Sequence, residues 1–229
     1  MTRLSVTLPA GEVTVSTILQ RPEDTSDGDA PWAAVALAHG AGAGPEHPFL
    51  AGLANALYES GIIVLRFAFP YREAGRRLPG PPAQALATWT AVMAELERAA
   101  PGIPHIAAGK SYGGRMASVA TADGLIDPRA LVYLGYPFHA PGKPEAPRGD
   151  HLPRIGAPQL FVEGTRDPFI QPLEQFEETV AMSPDAEIVW VDGGNHSFEV
   201  RGARRPPDEI GAALEPLVVD WLRARACGG

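Results

Sequence analysis

With 229 residues the chain has the length of one large domain or two small ones, and no composition shift marks a boundary, so a single domain over 1–229 is expected. Hydrophobic residues at 45% and charged residues at 20% fit a soluble globular protein, and a formal net charge of −8 argues against nucleic acid or an anionic membrane as partner. A single cysteine, Cys227, excludes an internal disulfide. With no apolar leader core in Met1–Ala10 and no run near the ~18 residues of a membrane span, a cytoplasmic protein is expected.

In chain order, Leu4–Leu8 and Glu12–Leu19 are alternating segments joined at Pro9-Ala10-Gly11, which predicts a hairpin. Arg21–Pro31 is polar and acidic and reads as a surface loop. From Trp32 onward, short apolar runs recur at Ala33–Ala38, Ile62–Phe67, His105–Ala108, Ala130–Leu134, Gln159–Val162 and Glu187–Val191. They lack polar alternation, as strands buried on both faces of a parallel sheet do. Helical stripes lie between them. Leu50, Leu53, Ala54, Leu57 and Tyr58 form one, closed by Gly61, and Leu86, Trp89, Met93 and Leu96 form another. Leu173, Phe176 and Val180 give a shorter stripe, and Ile210, Leu214, Leu217, Val218 and Trp221 end the chain. This alternation predicts an open, mostly parallel α/β sheet with helices on both faces, whose chemistry gathers at the carboxyl ends of the strands.

Gly109-Lys110-Ser111-Tyr112-Gly113 fits G-x-S-x-G. The glycines answer to crowding, because a nucleophile on a tight strand-to-helix turn leaves no room for side chains two residues either side. The pentapeptide alone carries little weight, since 25 Gly and 8 Ser yield a chance match in about one such sequence in ten. Its position directly after His105–Ala108 and before a small-residue helix, Arg115–Ala122, makes Ser111 a candidate nucleophile. Two other readings compete. Ser111 also suits a helix N-cap, and Gly109-Lys110-Ser111 resembles the end of a phosphate loop. For the latter the first glycine falls at Pro104, and the residues between are the strand itself, with no loop to wrap a phosphate.

A hydroxyl needs a base, and the base an orienting acid. His196 follows the last predicted strand in Asp192-Gly193-Gly194-Asn195-His196, and Asp167 follows the preceding one in Glu163-Gly164-Thr165-Arg166-Asp167-Pro168. Asp192 is the rival acid, but it ends the histidine's own strand. His39-Gly40-Ala41-Gly42 follows the first central strand, where one oxyanion amide is expected. Ala41 is placed there, with Gly42 as the alternative, and Tyr112 supplies the second amide. His39 itself reads as a structural hydrogen-bonding residue.

These segments, with Phe69-Pro70-Tyr71-Arg72 and the extension Gly114-Arg115, resemble the α/β-hydrolase superfamily, in particular its small dienelactone-hydrolase-like members. The resemblance runs from Trp32 to Arg225 and implies the α/β-hydrolase fold, with Ser111, Asp167 and His196 as catalytic triad. Dienelactone hydrolases proper use cysteine as nucleophile. The serine here implies general ester chemistry. A nearer group with the same Gly-Lys-Ser-x-Gly-Gly-Arg and Phe-Pro-Tyr segments includes members acting in protein assemblies, which keeps a non-catalytic scaffold among the readings.

Pro137–Ala157 lies where cap domains are commonly inserted, but it carries five prolines and no helical stripe, so a loop is expected and no helical lid. A shallow, open site for small or soluble substrates follows. Tyr71, Phe138, Phe169 and Phe198 are candidate pocket aromatics, equally suited to closing the core. Arg72 is a candidate contact for a substrate carboxylate, and Arg76 and Arg77 complete its basic cluster. No spacing suggests a metal site or a dinucleotide cofactor. The expected activity is hydrolysis of a small-molecule ester, with thioesters, lactones and peptides open to the same machinery.

Overall fold

The computed structural model describes residues 1–22 and 30–225; most of the acidic loop expected at 21–31, and Cys227, lie outside the described residues. Eight strands form one sheet: β1 (Thr2–Leu8), β2 (Gly11–Gln20), β3 (Ala33–Ala38), β4 (Ile62–Phe67), β5 (His105–Lys110), β6 (Ala130–Leu134), β7 (Gln159–Gly164) and β8 (Ala186–Val191). Their order is β1-β2-β4-β3-β5-β6-β7-β8. The hairpin β1–β2 is antiparallel and joins β4 antiparallel, while every pair from β4 to β8 is parallel. The α/β architecture read from the chain is therefore the observed one.

Helices cover both faces: α1 (Pro48–Glu59), α2 (Pro70–Glu73), α3 (Pro82–Ala99), α4 (Tyr112–Ala122), α5 (Leu173–Ala181), α6 (Pro207–Ala212) and α7 (Glu215–Arg225). On one side Trp89, Met116 and Phe176 of α3, α4 and α5 pack on Phe67, Tyr133 and Phe161 of the sheet. On the other, Leu53, Leu57 and Trp221 of α1 and α7 pack on Leu37, Val64 and Val132. Central strands fully buried from end to end explain why their sequences show no polar alternation.

Several details differ from the sequence reading, among them α4, which begins at Tyr112 and not at Arg115. Strands β5 and β7 run two residues further, ending in Gly109-Lys110 and Glu163-Gly164, because these residues continue the ladders with β6 and β8. The single-turn helix α2 was not anticipated. The last stripe is two helices: Pro216 lacks the N–H that would pair with the Ala212 carbonyl, so one helix cannot run through. Between β6 and β7 only Leu152–Arg154 forms a 3-10 turn, so the Pro-rich segment is a loop and no helical lid is built there. Among the described residues no helix is long and apolar enough to cross a membrane.

Candidate active site

Four strand ends supply the site. The turn from β5 into α4 puts Ser111 at φ 49°, ψ −116°, a positive φ that a side-chain-bearing residue adopts only under constraint. The flanking glycines permit this turn. A Cβ on Gly109 would lie 2.4 Å from the Gly114 nitrogen, and one on Gly113 would lie 2.6 Å from Ala38 Cβ and 2.7 Å from the His39 carbonyl. Larger residues there would push α4 off the sheet. The motif's glycines are steric necessities.

His196 reaches Ser111 from the loop after β8, across the end of β6. Gly135 makes the crossing possible: at φ 66° it presents no Cβ, and one built there would stand 2.8 Å from Lys110 Nζ and 3.2 Å from the His196 carbonyl. Ser111 Oγ donates to His196 Nε2 at 2.9 Å, and His196 Nδ1 donates to Asp167 Oδ2 at 2.6 Å. Asp167 is fully buried, and its Oδ1 accepts the Phe169 amide at 2.8 Å. The Phe169 ring stacks on the imidazole with centroids 4.1 Å apart. Both imidazole nitrogens are thus committed, and the ring is fixed in plane and depth. The rival acid, Asp192, is exposed and accepts the Thr165 hydroxyl at 3.4 Å.

Burial lowers the His196 pKa below its usual value; the Asp167 hydrogen bond opposes this and Lys110 reinforces it. At neutral pH the imidazole is neutral, with Nε2 free to accept the serine proton. Burial likewise pushes His39 down to about 4. Its Nδ1 donates to the Gly40 carbonyl at 2.8 Å and its Nε2 accepts the Phe69 amide at 3.2 Å, so His39 props the loop behind the serine. Gly40 sits against the nucleophile, where an added Cβ would lie 3.5 Å from Ser111 Cβ. Ala41 and Tyr112 border the same cleft as Ser111, whereas Gly42 does not. Among the described residues neither the Ala41 nor the Tyr112 amide donates to a group of the chain.

The cleft has a volume of about 530 Å³ and is walled by Phe49, Pro137, Phe169 and Ile210 around the serine. Of the five expected substrate contacts, only Phe169 borders it. Tyr71 is buried beneath the 39–42 loop, its hydroxyl 3.5 Å from the Gly40 carbonyl. Phe138 is fully buried on Phe176, and Phe198 stacks on Phe49 in the other core. These aromatics lie on segments that follow strands and turn inward, so they complete the core instead of the cleft. Arg72 bonds the Arg76 carbonyl at 3.2 Å, and Arg72, Arg76 and Arg77 all lie outside the cleft wall.

Two charged residues near the strand ends make contacts that the sequence did not predict. Lys110 Nζ donates to the His196 carbonyl at 2.6 Å and stands 5.4 Å from the Phe198 ring centroid, tying the histidine loop to the nucleophile strand. Burial pushes its pKa down to about 8, against the pull of Asp167 and Glu163. Glu163, the last acid inside β7, is fully buried. Burial holds its carboxyl well above the usual range, and one oxygen accepts the Tyr136 amide at 2.6 Å. A charged residue in an otherwise apolar strand was the available signal for Glu163.

A second Ser–His pair exists at Ser118 and His151, 2.7 Å apart. Ser118 is fully buried on the helical turn of α4, donates to the Arg115 carbonyl at 2.8 Å, and lies beside the Tyr136 hydroxyl. Among the described residues no carboxylate bonds His151, and Ser118 does not border the cleft. This pair is internal packing polarity. Among the described residues no three His, Cys, Asp or Glu side chains are grouped to hold a metal ion.

A serine on a strand-to-helix turn, with histidine and aspartate from the last two strand ends, defines an α/β-hydrolase site on this sheet. The family model for the alpha/beta hydrolase domain matches residues 31–213, and the chain belongs to that family. The fold is similar to that of a lidless α/β serine hydrolase from Xanthomonas campestris, with TM-score 0.72 and 20% identity over 96% of this chain and 94% of that one. It is equally similar to a dienelactone hydrolase from Anabaena variabilis, with TM-score 0.72 and 20% identity over 98% of both chains. Proteins from two Mycobacterium tuberculosis strains, named as phosphoribosyl transferases, are 31% identical over 120 residues, which is 52% of this chain and 24% of theirs. The chain therefore matches about a quarter of those proteins' length.

Proposed function

We propose that the protein is a serine hydrolase cleaving carboxylic esters of small or soluble substrates through an acyl-enzyme on Ser111. The observation carrying this reading is the continuous hydrogen-bond chain Ser111–His196–Asp167 with the serine held at positive φ beside the cleft. His196 takes the hydroxyl proton as Ser111 Oγ attacks the carbonyl carbon, and Asp167 holds the imidazole and balances its positive charge. The amides of Ala41 and Tyr112 receive the developing oxyanion. His196 then passes its proton to the leaving alcohol. Water, deprotonated by the same imidazole, releases the acid and restores the serine.

The lidless Xanthomonas hydrolase and the dienelactone hydrolase support the hydrolase class through shared fold. The mycobacterial name describes whole proteins of which the match is a fraction. A phosphate loop at Gly109-Lys110-Ser111 would also need a wrapping loop where β5 runs straight. A cytoplasmic setting and a small-molecule partner belong to the same proposal. The test is turnover of short-chain chromogenic esters, thioesters and lactones by wild type and Ser111→Ala. Loss of at least about 10³-fold in the variant is expected. Absence of turnover by wild type, or equal turnover by the variant, overturns the reading.

A further inference from the structure

Two arginines border the cleft that holds Ser111, and among the described residues neither has an acidic partner. Arg115 is the fourth residue after the nucleophile, on the first turn of α4, and Arg148 comes from the Pro-rich loop after β6. Among the described residues neither guanidinium makes a hydrogen bond or ion pair with the chain, and Arg115 Nε is buried without an acceptor. Each also borders an adjoining hollow of about 460 Å³ shared with His151 and Arg154, so the pair stands where the two spaces meet.

The neighbouring charges sharpen the point. Burial is the main influence lowering the Arg115 pKa, and the Arg148 charge adds to it; only the phenols of Tyr136 and Tyr112 oppose it. The nearby acids are otherwise engaged or unpaired with these arginines. Glu199, the carboxylate bordering the cleft, accepts from Asn195 Nδ2 at 2.9 Å, and Arg154 is the partner of Asp123. Asp150 borders only the outer hollow and forms no ion pair with either arginine. Lys110 adds a third basic group to the cleft, although its Nζ is occupied by the His196 carbonyl. Two like charges facing one cavity repel unless an anion lies between them, and a guanidinium with a dry, unused donor is disposed to accept an oxyanion.

We infer that Arg115 and Arg148 form an oxyanion subsite of the Ser111 cleft, so that the preferred substrates are esters carrying a carboxylate or comparable oxyanion group away from the scissile bond. This rests on the hydrolase reading and names its substrate class. The basic cluster at Arg72, Arg76 and Arg77, which the sequence offered for that role, faces elsewhere. The subsite leaves the chemistry of acyl transfer unchanged and acts on binding.

The test uses matched ester pairs: 4-nitrophenyl hydrogen adipate against its methyl ester, with the anion on the acyl side, and 4-acetoxybenzoate against its methyl ester, with the anion on the alcohol side. Wild type is expected to favour the charged member of one pair by roughly 10-fold or more in kcat/KM, mainly through KM. That ratio should fall towards one in Arg115→Gln, in Arg148→Gln and in the double variant. The exposed position of Arg148 provides a variant with little folding risk if Arg115→Gln is unstable. Preference for neither charged ester, or a ratio unchanged in the double variant, overturns the subsite while turnover of neutral esters leaves the hydrolase reading standing. If wild type cleaves none of the four, the hydrolase reading fails. The subsite is then judged by calorimetric binding of adipate: roughly 10-fold tighter binding to wild type than to the double variant supports it, and equal or no binding overturns it.

Discussion

At the scale of single residues, the proposed mechanism uses His196 in its neutral form, and burial of the imidazole favours that form. The acid limb of kcat/KM should therefore lie below the ordinary imidazole pKa of about 6.5, with activity lost only as pH falls through that lower value. A limb at or above about 6.5 would show that Asp167, which opposes burial, prevails. Replacing Asp167 with Asn preserves shape and removes the charge, and turnover should drop by about 10⁴-fold as the imidazole tautomer is lost. Glu163 carries a prediction of opposite kind. A carboxyl whose pKa is raised on folding stabilises fully below its unfolded pKa, and that contribution fades as pH rises towards the folded value. Glu163→Gln should accordingly gain stability relative to wild type between pH 5 and pH 8, read as Tm across that range. A constant Tm difference would mean that Glu163 is ionised throughout.

At the scale of elements, the alternation of short apolar runs and helical stripes made the parallel sheet legible, because strands buried on both faces have no polar side to mislead the reading. That Ser111, Asp167 and His196 would meet was legible for a related reason: each lies in the turn or loop after a strand, and the fold gathers strand ends. The lining of the cleft was not. Whether an aromatic at a loop base turns inward or outward depends on how neighbouring loops stack, and Tyr71, Phe138 and Phe198 turned into the core. Arg115 and Arg148 lie 33 positions apart in sequence, and nothing local signals that they meet at one cavity. The helix contact α1–α6 was likewise invisible. There Gly211 packs so closely that a Cβ would lie 2.0 Å from the Phe49 carbonyl. Gly211→Ala should cost about 1–3 kcal/mol, seen as a lower Tm, because the helices must separate. It should also weaken turnover, since Phe49 and Ile210 on these helices wall the cleft. An unchanged Tm would mean that α6 is free to shift.

At the scale of the whole molecule, the proposed ester hydrolysis in a cleft of about 530 Å³ without a helical cover implies short substrates. Each methylene beyond the cleft stays in water and gains none of the ~0.8 kcal/mol that burial would supply, so kcat/KM should cease to rise and then fall as acyl chains lengthen. A continued rise to long chains would require a cover formed by movement of the 137–157 loop. Ser111 is the proposed nucleophile, and the chain's own cleavage sites allow a direct discrimination. Trypsin cuts after Arg115, which separates Ser111 from Ser118. Wild type, Ser111→Ala and Ser118→Ala are treated with a serine-directed phosphonate, digested and mapped by mass spectrometry. The expected adduct lies on the peptide ending at Arg115 in wild type and Ser118→Ala, and is missing from Ser111→Ala. An adduct on the peptide beginning at Met116, or labelling of Ser111→Ala equal to wild type, would contradict the account.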